Sequence, residues 1–249
     1  MYDLPSEEVG EPGLPDQFHP LQAELLRLTF RPGNYDPEQV FSAMDLNVYY
    51  DENQTRRYKR PDWFGVAGIP RLYENRELRL SYVVWQEGVS PSVVVELLSP
   101  STQAQDLGQV EDEPDGTPTK WAVYEQILRI PYYVVYDRTL EHFRAFHLES
   151  SGYVEVEVID DRLWLEELQL GLGLWQGSYE NVNRLWLRFY EGSGDWIPTP
   201  AERAERERQA REAAEQREEQ ERQAREAAEQ RAERFRRLLL ENGINPHEV

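Results

Sequence analysis

The chain of 249 residues contains no cysteine, two methionines and only two lysines, Lys59 and Lys120, beside 25 arginines. Without cysteine there is no disulfide framework, no thiolate nucleophile and no thiolate zinc site; this agrees with the cytoplasmic location expected here. No apolar run approaches the roughly 18–20 residues of a membrane span, and the first residues lack the charged-then-apolar order of a secretion signal. Positive charge is also scarce: 27 basic against 47 acidic residues leave a net −20, and the first 200 residues carry −18 of it. Such a body repels a polyphosphate at long range, which excludes a broad electrostatic footprint on nucleic acid. Any phosphate contact has to be local, through a basic patch or bound metal ions. Gly-rich phosphate loops and a serine in a nucleophile elbow are missing too.

Aromatic side chains are abundant, with seven Trp, fourteen Tyr and eight Phe, too many for a disordered chain. Composition breaks at Pro198-Thr199-Pro200, which predicts a domain over 1–199 and a helical extension over 200–249. Beyond the break the residues are mostly Ala, Glu, Arg, Gln and Leu, a strong helix composition. Glu207–Arg217 recurs unchanged at Glu221–Arg231, a period of 14 residues or two heptads. Ala210, Ala214, Ala224 and Ala228, then Phe235 and Leu239, form a thin apolar seam, with Asn242-Gly243 as a stop. A solvated, charge-laced helix and an oligomerising coiled coil both fit this pattern.

The first 200 residues read as mixed α/β. Leu21, Leu25 and Leu28 predict an early helix begun after Pro20. Strand patterns follow at 46–50, 63–67, 82–85 and 92–98; a helical one covers 121–128; further strands fall at 132–136, 143–147, 153–159 and 185–190. The order strand, helix, strand across 92–136 suggests a parallel crossover. An acidic insertion, 103–119, interrupts it with Asp106, Glu111, Asp112, Glu113 and Asp115.

Chemistry concentrates at Arg60-Pro61-Asp62 and at Val93-Val94-Val95-Glu96-Leu97-Leu98-Ser99-Pro100-Ser101-Thr102. A carboxylate within an apolar strand is costly to bury unless a cation or metal faces it. Brought together, Asp62 and Glu96 make an oxygen site suited to Mg²⁺ and phosphate chemistry. Taken singly, Asp62 also reads as a turn cap after Pro61, and Glu96 as an outward-facing strand residue. Lys120 stands out because this chain otherwise uses arginine: a compact ammonium beside a reacting phosphate is a role arginine does not imitate, although chance alone also leaves an occasional lysine. Tyr124 shares its helix face. His142 and His147 fall on opposite strand faces and make no metal pair, and His19 and His247 have no partner at ligand spacing. Arg56, Arg57, Lys59 and Arg60 are the one dense basic cluster in the body, read as a solvated loop or as a local guide for a phosphate backbone.

Pro-Asp, then Val-Glu-Leu-Leu-Ser-Pro-Ser-Thr, then Lys-x-x-x-Tyr, then Pro-Tyr-Tyr-Val-Val-Tyr-Asp, resembles the Uma family of restriction-endonuclease-like proteins in the PD-(D/E)XK superfamily, over roughly residues 15–190. The resemblance implies a central mixed sheet flanked by helices, Mg²⁺ (or Mn²⁺) as cofactor, DNA as substrate and phosphodiester cleavage. By position, Asp62 resembles the first metal-binding carboxylate and Glu96 the second, with the Leu97 carbonyl as a further ligand. The superfamily lysine follows its carboxylate by two residues, where this chain has Leu98, so Lys120 is its counterpart, moved to the helix. The acidic insertion makes Asp106 a less secure member, and the early helix is expected to bring Gln22 or Glu24 to the metal. The expectation is thus a metal-dependent endonuclease assembled as a homo-oligomer, a dimer, with no membrane role. Two rivals are a non-catalytic interaction protein on the same fold and a carbohydrate-acting protein, which leaves Lys120 unexplained.

Overall fold

A computed structural model describes residues 16–99, 102–110 and 116–241. Glu111, Asp112, Glu113 and Asp115 of the acidic insertion, Pro100 and Ser101 of the strand motif, His247 and the Asn242-Gly243 stop lie outside the described residues. The elements run α1 (Phe18–Thr29), β1 (Val40–Met44), β2 (Val48–Tyr49), β3 (Tyr58–Lys59), β4 (Trp63–Ala67), β5 (Tyr82–Val83), α2 (Val84–Glu87), β6 (Val93–Leu97), α3 (Gln103–Asp106), α4 (Lys120–Ala122) continued by a π turn (Val123–Ile127), β7 (Tyr132–Asp137), β8 (His142–Glu149), β9 (Gly152–Val156), β10 (Arg162–Leu165), β11 (Leu170–Tyr179), β12 (Val182–Tyr190) and α5 (Pro200–Glu241). The chain divides into two compact units at Ile197 and Pro198.

The body is built on a six-stranded mixed sheet in the order β1-β4-β6-β7-β8-β9, with three-stranded sheets β10-β11-β12 and β3-β2-β5 beside it. Within the six-stranded sheet β6 and β7 are the one parallel pair, Val93 opposite Tyr132 through Leu97 opposite Tyr136, so the expected crossover is present; β2 and β5 also pair in parallel in the small sheet. Strands β6 and β7 are buried at nearly every position, as unbroken Val and Tyr runs require of central strands. Alternation sorts β6 between two cores. Val93, Val95 and Leu97 join Leu25 and Leu26 of α1, Phe30 just after it, and Trp186, Leu187 and Phe189 of β12. Val94 faces Val123, Tyr124, Leu128, Ile130 and Tyr133, and Glu96 shares its parity. Each fully buried Val or Leu contributes roughly 1.5–3 kcal/mol, so the register of β6 is firmly held, and with it the place of Glu96. Gly65 on β4 is needed for closeness: a Cβ there would sit 2.6 Å from the Phe30 ring and 2.8 Å from Trp63.

Several elements differ from their sequence patterns. Helix α1 starts at Phe18, two residues before Pro20, which the first turn accepts because its N–H would go unbonded there anyway. The run 82–85 becomes two strand residues and a helical turn closed by left-handed Gly88. The helix expected over 121–128 is a short α turn and then a π turn, with Leu128 N–H donating to Val123 O (2.8 Å) and Ile130 N–H to Tyr124 O (2.9 Å). The wider turn buries Leu128 and Ile130, while Ile127, four residues after Val123, is left 46% exposed. One face of the sheet is covered by α1 together with the β10-β11-β12 sheet rather than by helices alone.

The second unit is α5, 42 residues long, its surface laced with ion pairs such as Arg208–Glu205, Arg208–Glu212 and Arg225–Glu229. Ala210, Ala214, Ala224 and Ala228 are exposed along it. Because the body closes its own cores through Ile197, a chain ending at Thr199 is expected to remain soluble and to melt cooperatively; a molten body by near-ultraviolet circular dichroism would place the tail in the core.

Candidate active site

Three segments meet at the carboxyl end of β6. Asp62 precedes β4, which runs antiparallel to β6 with Trp63 opposite Val95. The Asp62 N–H donates to Glu96 Oε2 (3.3 Å), and the Leu97 N–H donates to Asp62 Oδ2 (2.6 Å). Adjacent strands therefore tie the two carboxylates together through each other's backbone. Lys120 comes from the start of α4, where the Thr119 hydroxyl caps the turn by accepting from the Ala122 N–H (3.1 Å). Its Nζ lies 3.0 Å from Glu96 Oε2 and 3.2 Å from Asp106 Oδ1. Tyr124 donates its hydroxyl to Glu96 Oε1 (2.9 Å). Glu96 and Asp106 are buried, and the Lys120 side chain is 20% exposed.

Placing three carboxylates and one ammonium away from water has electrostatic consequences. Burial pushes the Glu96 carboxyl up to about 8; Lys120 works against this, and Asp62 and Asp106 add to it. Asp62 is pushed up in the same way, first by burial, against the Lys120 charge and the Leu97 N–H. Burial alone would lower the Lys120 ammonium, but Glu96, Asp106 and Asp62 outweigh it and hold it charged. Fully ionised, the cluster carries three negative charges and one positive, an excess of two. Asp106 Oδ1, although ion-paired, has no hydrogen bond of good direction. This hard-oxygen, doubly negative set fits a divalent cation such as Mg²⁺. Among the described residues no group of three or more His, Asp or Glu side chains is arranged to hold a metal ion by itself.

Asp62, Leu97 and Lys120 line a cleft of about 610 Å³, whose walls also carry Asp16, His19, Asp45, Tyr58, Lys59 and Arg60. Of the basic cluster, Arg60 pairs with Asp45 at 2.9 Å.

The structure thus brings Asp62, Glu96 and Lys120 together, with the Leu97 backbone beside them. Asp106 belongs with them, more closely than its place in the insertion suggested: its backbone is anchored by the Thr102 carbonyl and the Tyr133 hydroxyl. Gln22 and Glu24 do not reach the cleft. The Gln22 amide is spent on the Leu187 backbone in both directions, and Glu24 pairs with Arg27 on the surface. The polar group that α1 presents to the cleft is His19, which does have a partner, Asp16, 2.9 Å away. An Asp and a His three residues apart at a helix start were the available signal.

The Uma2 family model, described as "Putative restriction endonuclease", matches residues 1–180 of this chain. The chain belongs to the Uma2 family. The Uma2 match ends just after β11, so β12 and α5 lie beyond it. No curated protein matches the chain. A crystal structure from Anabaena variabilis, titled as a "putative nuclease belonging to DUF820", is similar over 59% of this chain and 72% of its own, at 12% identity and a TM-score of 0.39. Among the described residues no helix is long and apolar enough to cross a membrane.

Proposed function

We propose that this Uma2 protein is a divalent-metal-dependent endonuclease that hydrolyses phosphodiester bonds in DNA. The observation that carries the reading is the convergence of Asp62 and Lys120 on one open cleft with Glu96 buried directly against both, a set whose full ionisation a dication would balance. Asp62, Glu96 and the Leu97 carbonyl would hold Mg²⁺ or Mn²⁺. The bound ion supplies Lewis-acid stabilisation of phosphoryl charge and eases deprotonation of water. Lys120, kept charged by its carboxylate neighbours, orients the attacking water and stabilises negative charge on the phosphoryl oxygens. Tyr124 acts one step back, holding Glu96 Oε1 so that Oε2 faces the ammonium. Lys59 and Arg60 on the cleft wall offset the acidic body where a phosphate backbone would enter. The heptad-paired repeat of α5 supports self-association as a homodimer.

Asp62→Asn and Glu96→Gln are each expected to abolish Mg²⁺ binding by isothermal calorimetry while leaving the fold intact, and Asp62→Asn to abolish Mg²⁺-dependent nicking of supercoiled plasmid. Unchanged Mg²⁺ affinity in both variants would sink the site; a wild type without metal affinity would favour the non-catalytic rival.

A further inference from the structure

The cleft holds an imidazole that the Asp62–Glu96–Lys120 cluster leaves unused. His19 sits in the first turn of α1, its side chain 14% exposed, on the cleft wall with Asp62 and Lys120. Its Nδ1 is 2.9 Å from Asp16 Oδ1. The same oxygen accepts the Phe18 N–H (2.9 Å) and the His19 N–H (3.3 Å), which fixes the carboxylate to the helix start. The other oxygen, Oδ2, is ion-paired with Arg138 Nη1 from the turn after β7. The Arg138 guanidinium lies over the Phe18 ring at 5.3 Å, and that ring meets the imidazole edge-on at 6.2 Å. The imidazole is therefore held by an anchored carboxylate on one nitrogen, and no protein group takes the other, Nε2, among the described residues. A histidine oriented through one nitrogen, with the second left for a ligand, is the arrangement proton transfer needs.

We propose that His19 is the general acid of the cleft, donating a proton from Nε2 to the sugar oxygen that leaves as the phosphodiester breaks. The inference rests on the nuclease reading above and extends it. In the step, water oxygen bonds to phosphorus, the P–O bond to the departing sugar breaks with its electron pair on that oxygen, and the His19 proton completes the new hydroxyl. The proton of the attacking water passes to bulk solvent, and the imidazole is reprotonated from solvent.

The surroundings favour the charged ring. Burial alone would lower the His19 pKa, but the hydrogen bond to Asp16 and the charges of Asp62 and Asp16 outweigh burial and Arg138, and raise it above 6.5. Asp45, Lys59, Arg60 and Lys120 are the other charged groups on the cleft walls. Asp16 itself is held far below the usual carboxylate range: burial would raise it, and the His19 hydrogen bond and the Arg138 charge prevail.

The test uses the full chain with Mn²⁺ and a DNA duplex that the wild type nicks, beside duplexes with sulfur at the 3′- or the 5′-bridging position, so that whichever atom leaves is covered. A thiolate departs without needing a proton. His19→Gln is expected to slow cleavage of the ordinary duplex by about a hundredfold or more, yet to stay within about threefold of wild type on the duplex whose leaving atom is sulfur. In the metal-free protein, the His19 ring resonance, assigned by its loss in His19→Gln, should titrate above 6.5. Asp16→Asn should bring that titration down, and the alkaline limb of the pH–rate profile with it, which keeps the test open should His19→Gln fail to fold. Equal losses on both substrates, no loss on either, or an Asp16→Asn titration identical to wild type would each overturn the proposal. A wild type that cleaves neither substrate overturns the nuclease reading, and this inference falls with it.

Discussion

Lys120→Arg is expected to keep Mg²⁺ binding and to lose cleavage by about a hundredfold or more, the scale of removing one oriented charge from a preorganised site. The reason lies in the space around the ammonium. Nζ sits between Glu96 Oε2 and Asp106 Oδ1 at 3.0 and 3.2 Å, with one-fifth of the side chain open to the cleft. A guanidinium keeps the charge but is wider and planar, and its terminal nitrogens reach further from the backbone than the lysine ammonium. Held at the same two carboxylates, it projects into the volume that water and phosphate need, and small misplacements of reacting groups are costly. Calorimetry and plasmid nicking on one preparation check both halves, with Arg206→Lys on α5 as a control for the exchange itself. Equal cleavage by wild type and Lys120→Arg would end the assignment of this lysine.

The second large effect is on stability, and it runs against the habit of acidic groups. Most carboxylates are lowered on folding and destabilise a protein when acid protonates them. Glu96 is raised, from 4.5 to about 8, by burial first and then by Asp62 and Asp106, against Lys120. The folded state therefore holds a proton that the unfolded state has already released. The associated stability is complete below the unfolded value and is lost as pH climbs toward the folded one, at up to about 1.4 kcal/mol per pH unit for a single proton. In the absence of divalent cations the melting temperature should fall steadily from pH 5 to pH 8. Glu96→Gln, neutral throughout, should reduce the slope; Asp62 and His19, both also raised, leave a remainder of the same sign. Added Mg²⁺ should raise the wild-type melting temperature most at pH 8, where it binds the ionised form. A flat wild-type profile, or an equal slope in Glu96→Gln, would show that Glu96 is ionised in the metal-free protein.

Much of this arrangement is legible in the residues themselves. Strand β4 has the bounds its pattern predicts, because its apolar pentapeptide is bounded by Asp62 before it and by the left-handed Gly68 after it. Glu96 announces itself by interrupting such a run. Short segments were the difficult ones: 82–85 satisfies strand and helix patterns equally, and the turn at Gly88 decides between them. Strand β10 is only four residues long, and β11 is hidden because Gly171, Gly173 and Gly177 break the β-rich signal, although neighbouring rings fill the space beside Gly171 and Gly177. Asp106, buried beside the cleft, is obscured in the sequence by acidic company, and what distinguishes it is burial, which composition does not report. His19 was missed for a different reason. Searching for ligand spacing finds histidines that share a metal, whereas this one is held by a carboxylate that also caps its helix.

The π turn after α4 carries a genetic implication. Lys120 lines the cleft and Tyr124 holds Glu96 behind it, while Leu128 and Ile130 anchor the segment in the core, and the wide turn reconciles the two sets. It contains one residue more than an α-helix would use to join them. Loss of a single codon between Glu125 and Ile127 would leave every candidate site residue in the gene, yet would rotate the following chain by about 100° if the helix closed to α geometry. Leu128 and Ile130 would then leave their sockets, and the segment would be anchored at one end only. Along this stretch an in-frame deletion is expected to be more damaging than most missense changes, and a gene with an unbroken set of site residues can still encode an inactive protein.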